Sequence, residues 1–219
     1  DSSTSRGLGD VYKRQRKELS KEMPVKQVLA SHKTAVVIGM LLTWFLTACV
    51  VVLILAMPNL LTGDFGFERS DAFQMQSAAI IMQMLGCILA GTLADRFGAA
   101  KVLIFGSLGV AAISTIFYHS LGAVSPTTVF ALYMLLGFFS GTVGLVSYSM
   151  VKMFPAPIRF SGISFSYNVA YAIAGGITLP LVQWLSLYSN IGAMYYIWLV
   201  CLICFFTALV YRAQFEMKH

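Results

Sequence analysis

The stretch Gly91-Thr92-Leu93-Ala94-Asp95-Arg96-Phe97-Gly98-Ala99-Ala100-Lys101 sets an Asp-Arg pair and a lysine between two long apolar runs. On one side, residues 71–94 carry no Lys, Arg, Glu or His and only Asp71 at their outer edge; on the other, residues 101–118 carry only Lys101 at theirs. A charged turn is costly in hydrocarbon, so it belongs at a membrane surface with an apolar crossing on either side. Working outward, four more apolar runs complete the chain, at 34–57, 127–151, 160–185 and 193–211. Each approaches the roughly 20 residues needed to cross about 30 Å of bilayer core. Each must be helical, because an unpaired backbone amide in hydrocarbon costs several kcal/mol and a helix satisfies its own.

Composition agrees. The 219 residues are 58% hydrophobic and 11% charged, with a mean hydropathy of +0.78, where a soluble domain is roughly a quarter charged. This excludes a single-anchor protein with a large soluble enzyme domain. The net charge of +6 does not indicate a nucleic-acid partner, because the basic residues sit at the ends of the apolar runs. Arg16, Lys17, Lys21, Lys26 and Lys33 precede the first run; Arg96 and Lys101 follow the second, Lys152 and Arg159 the fourth, Arg212 and Lys218 the sixth. The opposite loops hold only Arg69, beside Asp64, Glu68 and Asp71, and residues 186–192 hold no charge. By the positive-inside rule both termini are expected in the cytoplasm. Residues 1–15, a polar Gly/Ser stretch, read as a disordered foreign leader; 16–33 read as a basic cytoplasmic segment, 34–211 as the bundle and 212–219 as a cytoplasmic tail.

The 91–101 turn resembles the loop motif of the major facilitator superfamily, G-x-L-a-D-r-x-G-r-r/k. The resemblance assigns a gating role to Gly91, Leu93, Asp95, Arg96, Gly98 and Lys101: contacts that latch one side of the carrier shut and break when it turns. In physical terms Gly91 allows close helix approach, Asp95 suits the positive end of a neighbouring helix, and Gly98 permits a tight turn. Ala99 and Ala100 stand where that motif has basic residues, which weakens the latch. A second segment, Lys152-Met153-Phe154-Pro155-Ala156-Pro157-Ile158-Arg159-Phe160-Ser161-Gly162, resembles the F-P-x-x-x-R-x-[ST]-G connection of the metabolite:proton symporter family, which includes proline/glycine-betaine, dicarboxylate and shikimate carriers. Arg159 joins the gating set on that ground. That family commonly has Glu where this chain has Lys152. Pro24-Val25-Lys26-Gln27-Val28-Leu29 is similar to the same family's entry into its seventh helix.

The resemblance covers residues 24–211. It implies an all-α integral membrane fold whose six transmembrane helices are the carboxy-terminal bundle, helices seven to twelve, of a twelve-helix carrier. The implied partners are a small-molecule substrate, protons, the lipid bilayer and an amino-terminal six-helix half, and the implied place is a bacterial inner membrane. No nucleic acid, cofactor or metal is implied. The implied function is secondary active transport of an organic acid, amino acid or betaine by alternating access and proton symport. An exporter of the same superfamily and a six-helix structural or assembly subunit remain open. The helix centres bear no Lys, Arg, Asp, Glu or His, so a coupling carboxylate at depth is expected outside this chain.

Polar residues at helical spacing are the candidates for a substrate cavity: Thr43 and Thr47, Gln76 and Gln83, Tyr133 with Ser140, and Tyr167, Asn168 and Tyr171 with Thr178. Bonding back to the helix competes with that role for Ser and Thr, and interfacial anchoring for Tyr. Gly137, Gly141 and Gly144, and the pair Gly175-Gly176, are expected at close helix contacts. Cys201-x-x-Cys204 has no His or carboxylate nearby in sequence and reads as packing rather than a metal site. His32 and His119 flank spans and read as solvated. No catalytic residue is expected: there is no H-E-x-x-H and no G-x-S-x-G.

Overall fold

The computed structural model describes residues 24–189 and 191–217. The expected foreign leader, most of the basic segment and the end of the tail lie outside the described residues. A short helix, Pro24–Ser31, leads into six helices long and apolar enough to cross a membrane. They are span one, Lys33–Gly63; span two, Arg69–Phe97; span three, Ala99–Ser120; span four, Pro126–Met153; span five, Arg159–Ser186; and span six, Gly192–Glu216.

Span one runs past residue 57, where the sequence ended the first apolar run, and through Pro58. Its α-helix Lys33–Ala48 widens into a π-helical segment, Cys49–Leu55, and resumes as Met57–Gly63. The π segment reads CVVVLIL, and its β-branched residues crowd the turn before them in a regular α-helix. Pro58 then falls in the first turn of the resumed helix, where its fixed φ is suited to the helix. Span four is interrupted by a 3-10 turn, Gly141–Gly144, between Pro126–Ser140 and Leu145–Met153. Ser125 caps it, its hydroxyl accepting the Thr128 N–H at 3.3 Å. Span six extends beyond Tyr211 through a π turn, Arg212–Glu216, which carries Glu216 to the start of span three.

Span one packs on spans five and six, span four packs on spans two and three, and spans three and six pack on each other. Exchanging the first three spans for the last three maps this pattern onto itself. Because successive spans alternate in direction, the two triplets form an inverted repeat. Spans one and four are the best covered, with 67% and 56% of their most apolar stretch buried, against 22% for spans two and five. Phe117, Tyr118 and Tyr133 form an aromatic knot in the core, ring centroids 5.4 and 5.5 Å apart. Spans two and four meet backbone to backbone: a Cβ on Gly137 would collide with the Ala79 carbonyl, and one on Gly141 would lie 2.5 Å from the Cys87 nitrogen. Such contact drives helix association where lipid leaves no hydrophobic force between helices. Gly175 and Gly176 have nothing within 4 Å of a Cβ position, so the close contact expected there is not made within the described residues.

Candidate functional site

Span two ends at Phe97 because Gly98 turns the chain with φ of 92°, and span three begins at the next residue. Asp95 therefore stands one turn before a corner rather than on a loop. The Tyr148 hydroxyl of span four donates to Asp95 Oδ1 at 3.3 Å. One turn on, Lys152 Nζ lies 4.3 Å from the centre of the Tyr148 ring, so a cation rests on the same tyrosine that holds the carboxylate. Arg96 is stacked over Phe97 at 5.4 Å.

The helix-end partner is Glu216. Its Oε1 accepts the Ala100 N–H at 3.0 Å, satisfying an orphan donor in the first turn of span three and placing negative charge at the positive end of that helix. A Cβ on Gly98 would lie 2.9 Å from Glu216 Oε2, so glycine serves both the turn and the close approach of this carboxylate. Asp95, Gly98 and Lys101 thus meet Lys152, Arg212 and Glu216 around one cleft of about 800 Å³. Arg159 is not among its lining residues: Arg159 Nε donates to the Phe154 carbonyl at 3.0 Å. Phe154 is buried against Gly162, where a Cβ would lie 2.5 Å from its ring. The Phe-Pro to Arg segment is a self-stapled turn joining spans four and five. Leu93 is half-buried and faces a separate apolar groove; Gly91 has open space where a Cβ would be.

The cavity candidates divide into four groups. Thr43 and Thr47 are buried, donating to the Gly39 and Thr43 carbonyls at 2.8 Å, and Ser140 donates to Gly137 at 2.7 Å, so these protons are committed to their own helices. Gln76 and Tyr133 converge on span one: Gln76 Nε2 donates to the Ile54 carbonyl and the Tyr133 hydroxyl to the Leu53 carbonyl, both at 2.8 Å. Polar side chains of spans two and four thereby hold the end of the π segment. Tyr167 and Tyr171 stack at 5.7 Å and 13° on span five, beside an exposed Asn168 that donates to its own Ser164 carbonyl at 2.8 Å. Gln83 is half-buried, with its Nε2 shielded and without a partner among the described residues.

Four participants escaped the sequence reading: Tyr148, Glu216, Trp44 and Tyr196. Glu216 is the lone acid in a basic tail, a visible signal. Trp44 and Tyr196 carried none: Trp44 Nε1 donates to the Tyr196 hydroxyl at 2.9 Å, which pairs with Thr178 Oγ1 at 2.7 Å and ties spans one, five and six together. Among the described residues no group of three or more His, Cys, Asp or Glu is placed to hold a metal, and all four cysteines are free.

The family model described as sugar (and other) transporter matches residues 7–219. Among curated proteins, the chain is similar to the inner membrane metabolite transport protein YhjE of Escherichia coli (strain K12), 28% identical over 179 residues, covering 79% of this chain and 41% of that protein. It is 29% identical over 163 residues to the alpha-ketoglutarate permease of the same strain, covering 70% of this chain and 36% of the permease. It is 27% identical over 130 residues to the proline/betaine transporter of Salmonella typhimurium (strain LT2), covering 59% of this chain and 26% of that transporter. The chain spans about two fifths or less of the length of the curated relatives it matches.

Proposed function

The chain belongs to the sugar (and other) transporter family of the major facilitator superfamily, a family of multi-pass transport proteins rather than enzymes, and from that premise we propose that it is the carboxy-terminal half of a secondary transporter for a small polar metabolite. The substrate is an organic acid, an amino acid or a betaine, carried by alternating access with proton symport. The bundle rocks against an amino-terminal six-helix half that supplies the other wall of the cavity and the proton-binding carboxylate. Both termini face the cytoplasm. The exposed face of span five bearing Tyr167, Asn168 and Tyr171 lines the substrate path, while Gln76 and Tyr133 hold the broken part of span one in register.

The observation that carries this reading is the cleft in which Asp95 meets Tyr148 and Glu216 meets the start of span three. These hydrogen bonds join helix ends rather than helix interiors, so they can open and re-form while each helix keeps its own backbone bonds. They supply a two-state latch at one end of the bundle. The test is to read the source DNA upstream of the codon for Arg16. An in-frame stretch encoding six further spans, one with a carboxylate at mid-membrane, supports the half-carrier. A start codon with its own promoter at Arg16 would overturn it in favour of a six-helix assembly subunit.

A further inference from the structure

A groove of about 360 Å³ runs between spans two, three and four and ends at Lys101. Its sides are Leu89, Leu93 and Phe97 of span two, Phe105 of span three and Phe138 and Phe139 of span four. Its rims stand open: Phe105 is 72% exposed, Phe97 50% and Leu89 45%. The floor is drawn in by Gly86 and Gly106, which sit against the Phe138 carbonyl and the Thr142 side chain too closely to admit a Cβ. Thr142 is its one uncharged polar lining side chain, and that hydroxyl is spent on the Phe139 carbonyl at 3.1 Å. Nothing inside the groove orients a polar ligand.

At its mouth the chemistry reverses. Phe97 and Lys101 also line the charged cleft, which adds Lys152 and Arg212. The acids there are engaged, Glu216 by the Ala100 amide and Asp95 by Tyr148, whereas Lys101 is exposed and has no hydrogen-bond partner among the described residues. From Leu89 to Phe97 the groove is roughly 12 Å deep at 1.5 Å per residue. A single acyl chain has the matching girth, and a phosphate has the charge complementary to Lys101.

We propose that this groove is a specific phospholipid site: one acyl chain lies between spans two, three and four, and an anionic headgroup rests on Lys101 at the edge of the latch cleft. The site requires only that the bundle lie in a membrane, so it stands whether or not the transport reading holds. It makes the latch sensitive to the charge of the surrounding lipid, because the headgroup sits one helix corner from Asp95.

The experiment is native mass spectrometry on the full 219-residue chain in mild detergent, equilibrated with equal amounts of phosphatidylglycerol and phosphatidylcholine bearing identical acyl chains, and separately with inorganic phosphate. The wild type is expected to retain phosphatidylglycerol about fivefold better, the preference that one lysine near a membrane surface supplies. Lys101→Gln should abolish that preference, while Arg69→Gln at the far end leaves it intact. Val102→Trp and Leu93→Trp, two independent ways of filling the groove, should lower retention of both lipids. Equal retention by the wild type, or a preference that survives Lys101→Gln, overturns the headgroup contact. Unchanged retention in the folded filling variants overturns the acyl site, as expected if another protein segment covers the groove. Phosphate binding that depends on Lys101 with no lipid retained overturns the lipid in favour of a free anion.

Discussion

Gly141→Ala should separate the two best-fitted helices of the bundle, and its cost follows from distances. A Cβ there would lie 2.5 Å from the Cys87 nitrogen and the Gly86 carbonyl carbon, and 2.6 Å from the Gln83 carbonyl oxygen. Ordinary contact begins at 3.4 Å, so span four must retreat from span two by about 0.9 Å, the difference between 3.4 and 2.5. The obstructing atoms are backbone and cannot rotate away. A gap of 0.5–1 Å forfeits a quarter to a half of each dispersion contact along the seam, and overpacking of this kind costs about 1–3 kcal/mol. Gly175→Ala is the control, because nothing lies within 4 Å of its Cβ position; removing a helical glycine there should gain about 0.5–1 kcal/mol. Thermal or dodecyl-sulfate denaturation of both variants in the same micelle measures the difference. Equal shifts for the two would refute the claim that glycine holds the seam of spans two and four.

Other expectations rest on single contacts. Tyr133→Phe and Gln76→Leu each strand a carbonyl at the end of the π segment and should cost about 1 kcal/mol apiece, read in the same denaturation assay. Glu216→Ala removes the cap on span three; an effect of about 1 kcal/mol appears as roughly fivefold faster hydrogen exchange at the Ala100 amide, with Glu216→Gln retaining most of the protection. If the proposed half-carrier is right, Asp95→Ala in the longer protein should reduce uptake more than substrate binding, measured on the same proteoliposomes, and equal losses would argue against a conformational latch.

Six crossings were legible because apolar runs of that length have one solution in hydrocarbon, and the turn at Gly98 was legible because the residue type announces it. Helix ends were less so. The first run ended at residue 57, before Pro58, yet a proline is tolerated in the first turn of a resumed helix, and the sequence does not say that span one breaks before it rather than at it. Charge gave Asp95 and Lys101 but neither Tyr148, which donates to Asp95, nor Glu216, which takes the Ala100 amide; both arrive from spans distant in sequence. The polar candidates inside the spans look alike on paper. Only packing separates Thr43, which bonds its own helix, from Tyr133, which crosses to another, and from Tyr171, which lies on an open face. The two glycine groups make the same point: Gly137 and Gly141 meet backbone, whereas Gly175 and Gly176 meet nothing in this chain.

The most direct measurement is uptake by the longer protein restored from the source DNA, reconstituted in proteoliposomes and offered labelled organic acids, proline and betaine under an imposed inward proton gradient. The account predicts that one of these accumulates against its own gradient, that a protonophore collapses the accumulation, and that Asp95→Ala slows it. Intact, correctly folded proteoliposomes that accumulate none of them, with or without the gradient, would contradict it.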